Sequence, residues 1–319
     1  MIEQLASESA TAARTATFQG KERTQAKNFP FPKSVEEYKR RLFDHSFVDV
    51  VTDIGFVGTD FGEYFWANRR LGGKLERSHF LDDEPRVQGG GTLVFSPGLL
   101  SWEGLEPFKR QEPWKSMGIF NGTYDNMEDY FKGVGMKVKP VFLDSGLTIG
   151  DVDGTVEEMR RLIDASEPPT VLMGQSFGGL AAKEFVRRYP QMAKHLEGII
   201  SIDAPMPTRV NSVVEGLFVA FNGDESFKRV GAMIEFLSSN EADKFNFISV
   251  RAENQNIIDG PDIGEVIEVP AGHSAMCSNI ESLRKVVQVI NKTRRQAKNR
   301  HKFADLLSNS YPLVTVSAA

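Results

Sequence analysis

The chain has 319 residues, 40 % of them hydrophobic and 25 % charged, and 38 basic against 43 acidic residues leave a net charge of −5. This composition is that of a soluble globular protein and excludes a disordered, collagen-like or fibrous chain. The acidic balance argues against a surface that neutralises nucleic-acid phosphates. A single cysteine, Cys277, excludes an internal disulfide and a thiolate zinc cage.

Residues 1–88 are predicted to form a leader and accessory segment. Ser34 and Glu37 have the spacing of a capping box, which predicts a helix near residues 34–44. The sequence from there to Arg70 is rich in aromatic residues and glycine without a clear period, so it predicts no element. The first twenty residues lack the apolar core of a secretory signal, and no stretch reaches the roughly 20 apolar residues of a membrane span. We therefore expect a cytoplasmic protein.

Residues 89–292 are predicted to form one α/β domain. Short apolar runs alternate there with longer stretches of helical periodicity, an order that predicts a mostly parallel sheet with crossover helices. The predicted strands are Leu93–Phe95, Val138–Phe142, Val171–Met173, Ile199–Ile202, Phe245–Val250 and Val266–Val269. The predicted crossover helices are Thr155–Ala165, Phe177–Arg188 and Ile280–Ile290.

The strongest local motif is the Gly-x-Ser-x-Gly sequence centred on Ser176. It follows a short apolar strand and leads directly into a helical run, which is the setting that exposes a serine hydroxyl on a tight strand-to-helix turn. The flanking glycines would let the strand and the helix pass closely. The alternative is an ordinary glycine-rich turn, but the flanking elements favour a nucleophile.

A serine nucleophile needs a base, normally a histidine. His273 follows the last predicted strand and precedes a helix, so it would lie at the carboxyl edge of the sheet, where functional groups gather. It also follows Ser176 in the chain order that this motif predicts. A structural role for His273 remains the alternative. The other histidines have no such position: His45, His79, His195 and His301.

The acid that orients the histidine has several candidates. Asp203 ends a predicted strand and is followed by two prolines that leave its carboxylate at the strand end, which favours it. Its alternative role is a turn aspartate that binds its own backbone. The competing acids follow the next strand: Glu253, Asp259 and Asp262.

The oxyanion of an acyl-transfer reaction must meet preorganised N–H donors. The amide of Phe177, directly after the serine, is one predicted donor. The loop after the first strand should supply the second, and there we expect the amide of Leu99 beside the permissive Gly98.

Two further segments are predicted around this site. Residues 207–243 contain two amphipathic runs broken near Gly223, which predict a helical lid with an apolar underside or, alternatively, crossover helices that fill the core. Residues 293–319 form a basic tail that begins as a solvated helix face; a partner site there is the weaker alternative.

The motifs at residues 174–179, 202–207 and 269–276 together resemble the α/β-hydrolase thioesterases that release products from polyketide and nonribosomal peptide synthases. In that family the acid follows the strand after the nucleophile, which supports Asp203. The resemblance implies transfer of an acyl group from a pantetheine thioester to Ser176 beneath a helical lid. Two departures are Gln175, where the family more often has His or Trp, and the longer N-terminal lead-in.

The expected protein is a serine hydrolase with Ser176 as nucleophile, His273 as general base and acid, and Asp203 as its orienting carboxylate. It would cleave a thioester or ester of a hydrophobic acyl group, free or bound to a carrier protein, without a metal or organic cofactor. A carboxylesterase or lipase acting on oxygen esters is the first alternative. A ligand-binding protein on a hydrolase scaffold is the second, although such proteins usually lose a member of the triad.

Overall fold

The structure is a computed structural model that describes residues 30–42, 47–77, 79–98, 123–141, 152–206, 209–210, 224–253 and 258–310. Its strands are β1 (Thr92–Ser96), β2 (Lys137–Pro140), β3 (Thr170–Gln175), β4 (Gly198–Ile202), β5 (Arg209–Val210), β6 (Phe247–Ala252), β7 (Ile258–Asp259) and β8 (Glu265–Val269). Its α-helices are α1 (Val35–Leu42), α2 (Phe47–Leu75), α3 (Thr123–Gly133), α4 (Val152–Asp164), α5 (Phe177–Arg188), α6 (Pro190–Ala193), α7 (Asp224–Leu237) and α8 (Ile280–Ser310).

Six strands form one sheet in the order β2-β1-β3-β4-β6-β8, and every neighbouring pair is parallel. Each of these strands overlaps a strand predicted from an apolar run, so the predicted α/β fold is confirmed. The short strands β5 and β7 pair separately and antiparallel.

Helices cover both faces of the inner strands, which explains why β1, β3, β4 and β6 are buried along their whole length. The outer strands β2 and β8 instead mix apolar and charged residues and are only partly buried. Leu93 and Phe95 of β1 belong to the core cluster on the face covered by α3 and α8. Val94 belongs to the cluster on the opposite face, with α4, α5 and α7. Because successive strand residues point to opposite faces, one run of hydrophobic side chains supplies both cores.

Helix α1 forms over Val35–Leu42, within the range that the capping box predicts. Oγ of Ser34 accepts a hydrogen bond of 3.1 Å from the N–H of Glu37, and the Glu37 carboxylate accepts one of 2.7 Å from the N–H of Lys33. These bonds satisfy backbone donors at the helix start that have no partner within the helix.

Helix α2 is the longest element that the sequence pattern does not predict, and α3 is another. Among its side chains that the structure describes, the buried ones in α2 are Asp53, Asp60, Tyr64, Ala67 and Leu71. These positions recur at helical spacing, but two of the five carry carboxylates, so no continuous apolar stripe marks this described part of the helix. Five glycines within it weaken the helical signal further.

Helix α7 corresponds to the second of the two helices predicted between residues 207 and 243. Its side chains Val230, Met233 and Ile234 are buried in the same core cluster as Phe185 of α5. The first predicted helix of this segment lies outside the described residues. A lid over the strand ends therefore stays a prediction.

Helix α8 begins at Ile280 as predicted and continues to Ser310 through the first part of the basic tail. Lys292 forms an ion pair of 2.5 Å with Glu265, and Arg294 one of 2.7 Å with Glu197. Among the described helices, none combines the length and the apolar character needed to cross a membrane.

Candidate active site

Ser176 lies in the tight turn between β3 and α5. Its backbone has φ 50° and ψ −120°, a conformation that is costly for any residue with a side chain. The N–H of Ser176 donates to the carbonyl of Ile202 at 2.9 Å, which joins the turn to the end of β4. The hydroxyl does not cap α5, and the residue is only half-buried. The turn thus holds the serine in strain with its side chain at the carboxyl edge of the sheet.

Glycines make this turn possible because three backbone segments pass within contact distance there. A Cβ atom on Gly174 would collide with the backbone of Gly178, and one on Gly178 would collide with the carbonyl of Ser96. Gly98 lies on the other side of the serine, where an added Cβ would be 3.2 Å from Cβ of Ser176. Strands β1 and β3 therefore end against the same residue.

The serine also lies at the point where the order of the strands reverses. Strand β1 has β2 on one side and β3 on the other, so the chain winds away from it in both directions. The carboxyl ends of two such strands diverge and leave a crevice, which is where open α/β sheets bind ligands. A parallel sheet that carries a strained Gly-x-Ser-x-Gly turn at the carboxyl ends of its strands is characteristic of one type of fold. The chain has an α/β-hydrolase fold.

His273 and Asp203 form a hydrogen-bonded pair at the same edge of this α/β-hydrolase sheet. Nδ1 of His273 lies 2.6 Å from Oδ2 of Asp203. The second carboxylate oxygen, Oδ1, accepts a bond of 3.2 Å from the N–H of Ala252 at the end of β6. Asp203 is fully buried, and its backbone φ of 41° places its carboxylate against the strand ends. A buried carboxylate needs such partners to remain charged.

Opposing effects set the pKa of His273. Burial of the ring lowers this pKa, whereas the hydrogen bond to Asp203 and the negative charges of Asp203 and Asp60 raise it. The net result is a pKa above the ordinary histidine value. The imidazolium is therefore stabilised by two carboxylates, which is the property that a general base needs when it accepts a proton.

The turn that carries His273 is joined to the serine turn through Gln175. Nε2 of Gln175 donates to the carbonyl oxygen of His273 at 3.2 Å. Among the hydrogen bonds of the described residues, none joins Oγ of Ser176 to the His273 ring. In proteins without substrate such bonds are often long and tighten only when the substrate is bound.

The solved structures that are similar to this chain vary in activity. No protein-family model and no curated protein sequence matches the chain. A metagenomic carboxyl esterase is similar with a TM-score of 0.47 and 12 % identity, over 66 % of this chain and 78 % of that one. An N-formylmaleamic acid deformylase from Pseudomonas putida has a TM-score of 0.39 and 15 % identity, over 64 % and 93 %.

The thioesterase domain of the curacin biosynthetic pathway is also similar, with a TM-score of 0.39 and 10 % identity over 65 % of this chain and 92 % of that one. At these identities and TM-scores the likenesses carry no argument about the substrate of this chain.

The remaining acids considered from the sequence have other surroundings. Glu253 is exposed. Asp262 forms an ion pair of 2.6 Å with Nη1 of Arg251, and both side chains are buried. Burial raises the pKa of Asp262, and the charge of Arg251 opposes this effect. The side chain of Asp259 lies outside the described residues.

The two predicted oxyanion donors differ in what the structure describes. Phe177 is the first residue of α5, so its N–H is one of the amides that an α-helix leaves without an internal partner. Leu99 lies outside the described residues, but the preceding Gly98 is beside Ser176. In the described part of the chain, no group of three or more histidines, cysteines or acids could hold a metal ion.

A buried lysine, Lys183, forms a hydrogen bond with the turn that carries Asp203. Nζ of Lys183, on α5, donates to the carbonyl of Ala204, and Oγ of Ser201 donates to the same oxygen at 3.2 Å. Burial lowers the pKa of Lys183 to about 8, an effect that Asp262 opposes with its negative charge. These bonds hold the backbone directly after Asp203 in place.

Helix α2 contributes residues to the site that the sequence analysis missed. Both carboxylate oxygens of Asp60 lie 3.2 Å from the N–H of Ser274, and Oε1 of Glu63 accepts a bond of 3.1 Å from the N–H of Gly272. The signal that could have revealed them is the helical spacing of Asp53, Asp60 and Tyr64 in an otherwise unassignable segment. Local pattern alone could not assign them a partner.

Proposed function

We propose that this protein is a serine hydrolase that transfers an acyl group from a thioester or ester first to Ser176 and then to water. The observation that carries the proposal is the position of the strained serine turn at the same sheet edge as the hydrogen-bonded pair of His273 and Asp203. A serine needs a base, and a base needs an orienting carboxylate. All three groups follow strands of one parallel sheet.

In the first half of the reaction, Oγ of Ser176 attacks the carbonyl carbon while Nε2 of His273 takes its proton. Negative charge moves to the carbonyl oxygen. When this tetrahedral intermediate collapses, the bond to the leaving sulfur or oxygen breaks, and His273 gives its proton to the departing thiol or alcohol. Asp203 stays ionised throughout and holds Nδ1–H of the imidazole.

In the second half, water attacks the acyl-serine. His273 takes a proton from the water as its oxygen bonds to the acyl carbon, and the bond to Oγ then breaks. The proton returns to Ser176, and the carboxylic acid leaves. An internal hydroxyl or amine of the acyl chain could replace the water, which would release a cyclic product instead.

The developing oxyanion would be bound by backbone amides. We assign the N–H of Phe177 to this role because it directly follows the nucleophile at the start of α5. We assign the second donor to the amide of Leu99. The approach of Gly98 to Ser176 supports this assignment, since it brings the chain after β1 within contact distance of the reacting atom.

The proposed substrate is a thioester of a hydrophobic acyl group, either free or attached to the pantetheine arm of a carrier protein. The motif resemblance around Ser176, Asp203 and His273 supports a thioester over an oxygen ester. Matched thioester and oxygen-ester panels with the same acyl chains test this choice. Faster turnover of every oxygen ester would identify a carboxylesterase or lipase.

A fluorophosphonate probe tests the nucleophile without knowledge of the substrate, because Oγ displaces fluoride from phosphorus and stays bonded to it. We expect the wild-type protein to be labelled and Ser176→Ala to remain unlabelled. Ser238→Ala, at an exposed serine after α7, is the matched control and should label like the wild type. Labelling that survives Ser176→Ala would rule out this nucleophile, and no labelling of the wild type would favour a ligand-binding protein.

A further inference from the structure

The turn that carries His273 is held by hydrogen bonds on both sides of the histidine. Glu63 accepts from the N–H of Gly272, and Asp60 accepts from the N–H of Ser274. With Gln175 bonded to the carbonyl of His273, three side chains hold three consecutive residues of backbone. The position of the imidazole therefore depends on helix α2 as well as on the sheet.

Helix α2 packs closely against this turn, and apolar side chains lie next to the two carboxylates. A Cβ atom on Gly272 would overlap Oδ1 of Asp60 and lie 3.0 Å from Oε2 of Glu63. Tyr64 and Ala67 of α2 pack against Ala275 in a separate buried cluster. The helix cannot move along the turn without disturbing His273.

A carboxylate at position 60 has an unfavourable free energy of burial. It is buried, and Glu63 lies three residues away on the same helix, where like charges repel. An asparagine or serine at position 60 could also accept a hydrogen bond from the Ser274 amide without burying a charge. The negative charge itself is therefore the feature that needs an explanation.

The imidazole is the group near Asp60 that can use this charge. In the described structure, the carboxylates that raise the pKa of His273 are Asp203 at the end of β4 and Asp60 on α2. Glu63 faces the same turn from α2, where its carboxylate binds the Gly272 amide. Cys277, in the same turn, stays a neutral thiol because burial raises its pKa.

We propose that Asp60 is a positioning residue for His273: it holds the turn through the Ser274 amide, and its charge stabilises the imidazolium that forms when Ser176 loses its proton. Asp203 binds the ring directly, whereas Asp60 acts on it through the backbone and through space. This inference rests on the proposed serine chemistry. It assigns a functional role to a helix that lies outside the chain segment holding the sequence motifs.

The test is the pH dependence of labelling by a fluorophosphonate probe, measured as a rate constant at each pH. The wild-type rate should rise with pH as His273 loses its proton and becomes a base. In Asp60→Asn the imidazolium loses a stabilising charge, so the midpoint of this rise should move to lower pH. We also expect the plateau rate to fall by up to about 10-fold, because the neutral amide oxygen of asparagine accepts a weaker hydrogen bond from Ser274 than a carboxylate does and holds the turn less firmly.

Two variants separate charge from structure. Asp60→Glu keeps the charge and should keep the wild-type midpoint even if its rate is lower. Glu63→Gln weakens the other half of the clamp and should lower the rate while its midpoint stays in place. A midpoint in Asp60→Asn equal to that of the wild type would overturn the inference, and so would an equal shift in Glu63→Gln.

A second measurement does not depend on activity. Proton and carbon NMR of protein labelled in its five histidine rings follows each imidazole as it titrates, and the signal absent from His273→Asn identifies His273. Its pKa should be lower in Asp60→Asn than in the wild type. If the probe does not react with the wild-type protein but the pKa of His273 is lower in Asp60→Asn, the proposed function alone is contradicted. If the probe reacts normally but this pKa does not change, the role of Asp60 alone is contradicted.

Discussion

Oδ2 of Asp203 lies 2.6 Å from Nδ1 of His273, although 70 residues separate them in the chain. The pair spans three neighbouring strands, because Asp203 follows β4, His273 follows β8, and β6 lies between them. The end of β6 takes part as well, since the N–H of Ala252 donates to the other oxygen of Asp203. The parallel sheet therefore brings together, at the carboxyl ends of its strands, groups that lie far apart in the sequence.

Substitution of Asp203 should remove most of the activity without unfolding the protein. Asp203→Asn cannot hold the imidazole in the tautomer that accepts the serine proton, and we expect a loss of about 10⁴-fold in turnover. Glu253→Gln is the matched control because Glu253 is exposed. Steady-state turnover of an activated ester measures both, and a Glu253→Gln loss as large as that of Asp203→Asn would move the acid to position 253.

A methyl group on Gly272 should disturb the site from the side of α2. In Gly272→Ala the new Cβ would overlap Oδ1 of Asp60, so the carboxylate must leave the Ser274 amide. We expect the rate of fluorophosphonate labelling to fall about 10-fold. An unchanged rate would show that the turn does not need this contact.

Gly58→Ala is the corresponding control within α2. Gly58 is exposed, and a Cβ there would have nothing within 4 Å. Alanine in a helix interior is more favourable than glycine by roughly 0.5–1 kcal/mol. Urea unfolding should therefore show an increase in the free energy of unfolding of this size, with the labelling rate unchanged.

The buried ion pair of Asp262 and Arg251 should matter for stability rather than for chemistry. Asp262→Asn removes the negative charge that lies 2.6 Å from the buried Arg251 guanidinium, and breaking such a pair costs about 3–5 kcal/mol. Urea unfolding measures this loss. A labelling rate of the folded variant that falls as far as that of Asp203→Asn would instead place Asp262 in the reaction.

Lys183 should make stability depend on pH in the alkaline range. Its folded-state pKa of about 8 is below its ordinary value of 10.5, so between these values the unfolded chain binds more protons than the folded one. The free energy of unfolding therefore gains a contribution that rises with pH across this window. The free energy of unfolding of the wild type minus that of Lys183→Met should increase from pH 8 to 10.5. A difference that stays constant over this range would contradict the lowered pKa of Lys183.

Much of the sheet was predictable from local patterns. Runs such as Val171–Met173 are apolar because both faces of the sheet are covered, and a short apolar run between turn residues predicts a buried strand. Ser176 was recognisable as a candidate for a similar reason, since its Gly-x-Ser-x-Gly motif lies between a short apolar run and a helical run that are contiguous in the sequence. Its role as nucleophile stays a prediction that labelling tests.

Helix α2 could not be predicted in this way. Its buried stripe includes Asp53 and Asp60, which hydrophobic periodicity counts as solvent-facing positions. A buried carboxylate becomes recognisable only when its partner is known, and the partner of Asp60 is the Ser274 amide, 214 residues further along the chain.

The sequence by itself determined the parallel sheet, the serine turn and the position of His273 at a strand end, because these depend on residues close together in the chain. The tertiary structure decided which acid lies against His273 and that α2 supports its turn. Both of these depend on hydrogen bonds between groups that meet only after the strands have paired. Local residue patterns carry no record of such partners, since each partner is chosen by the geometry of the assembled sheet.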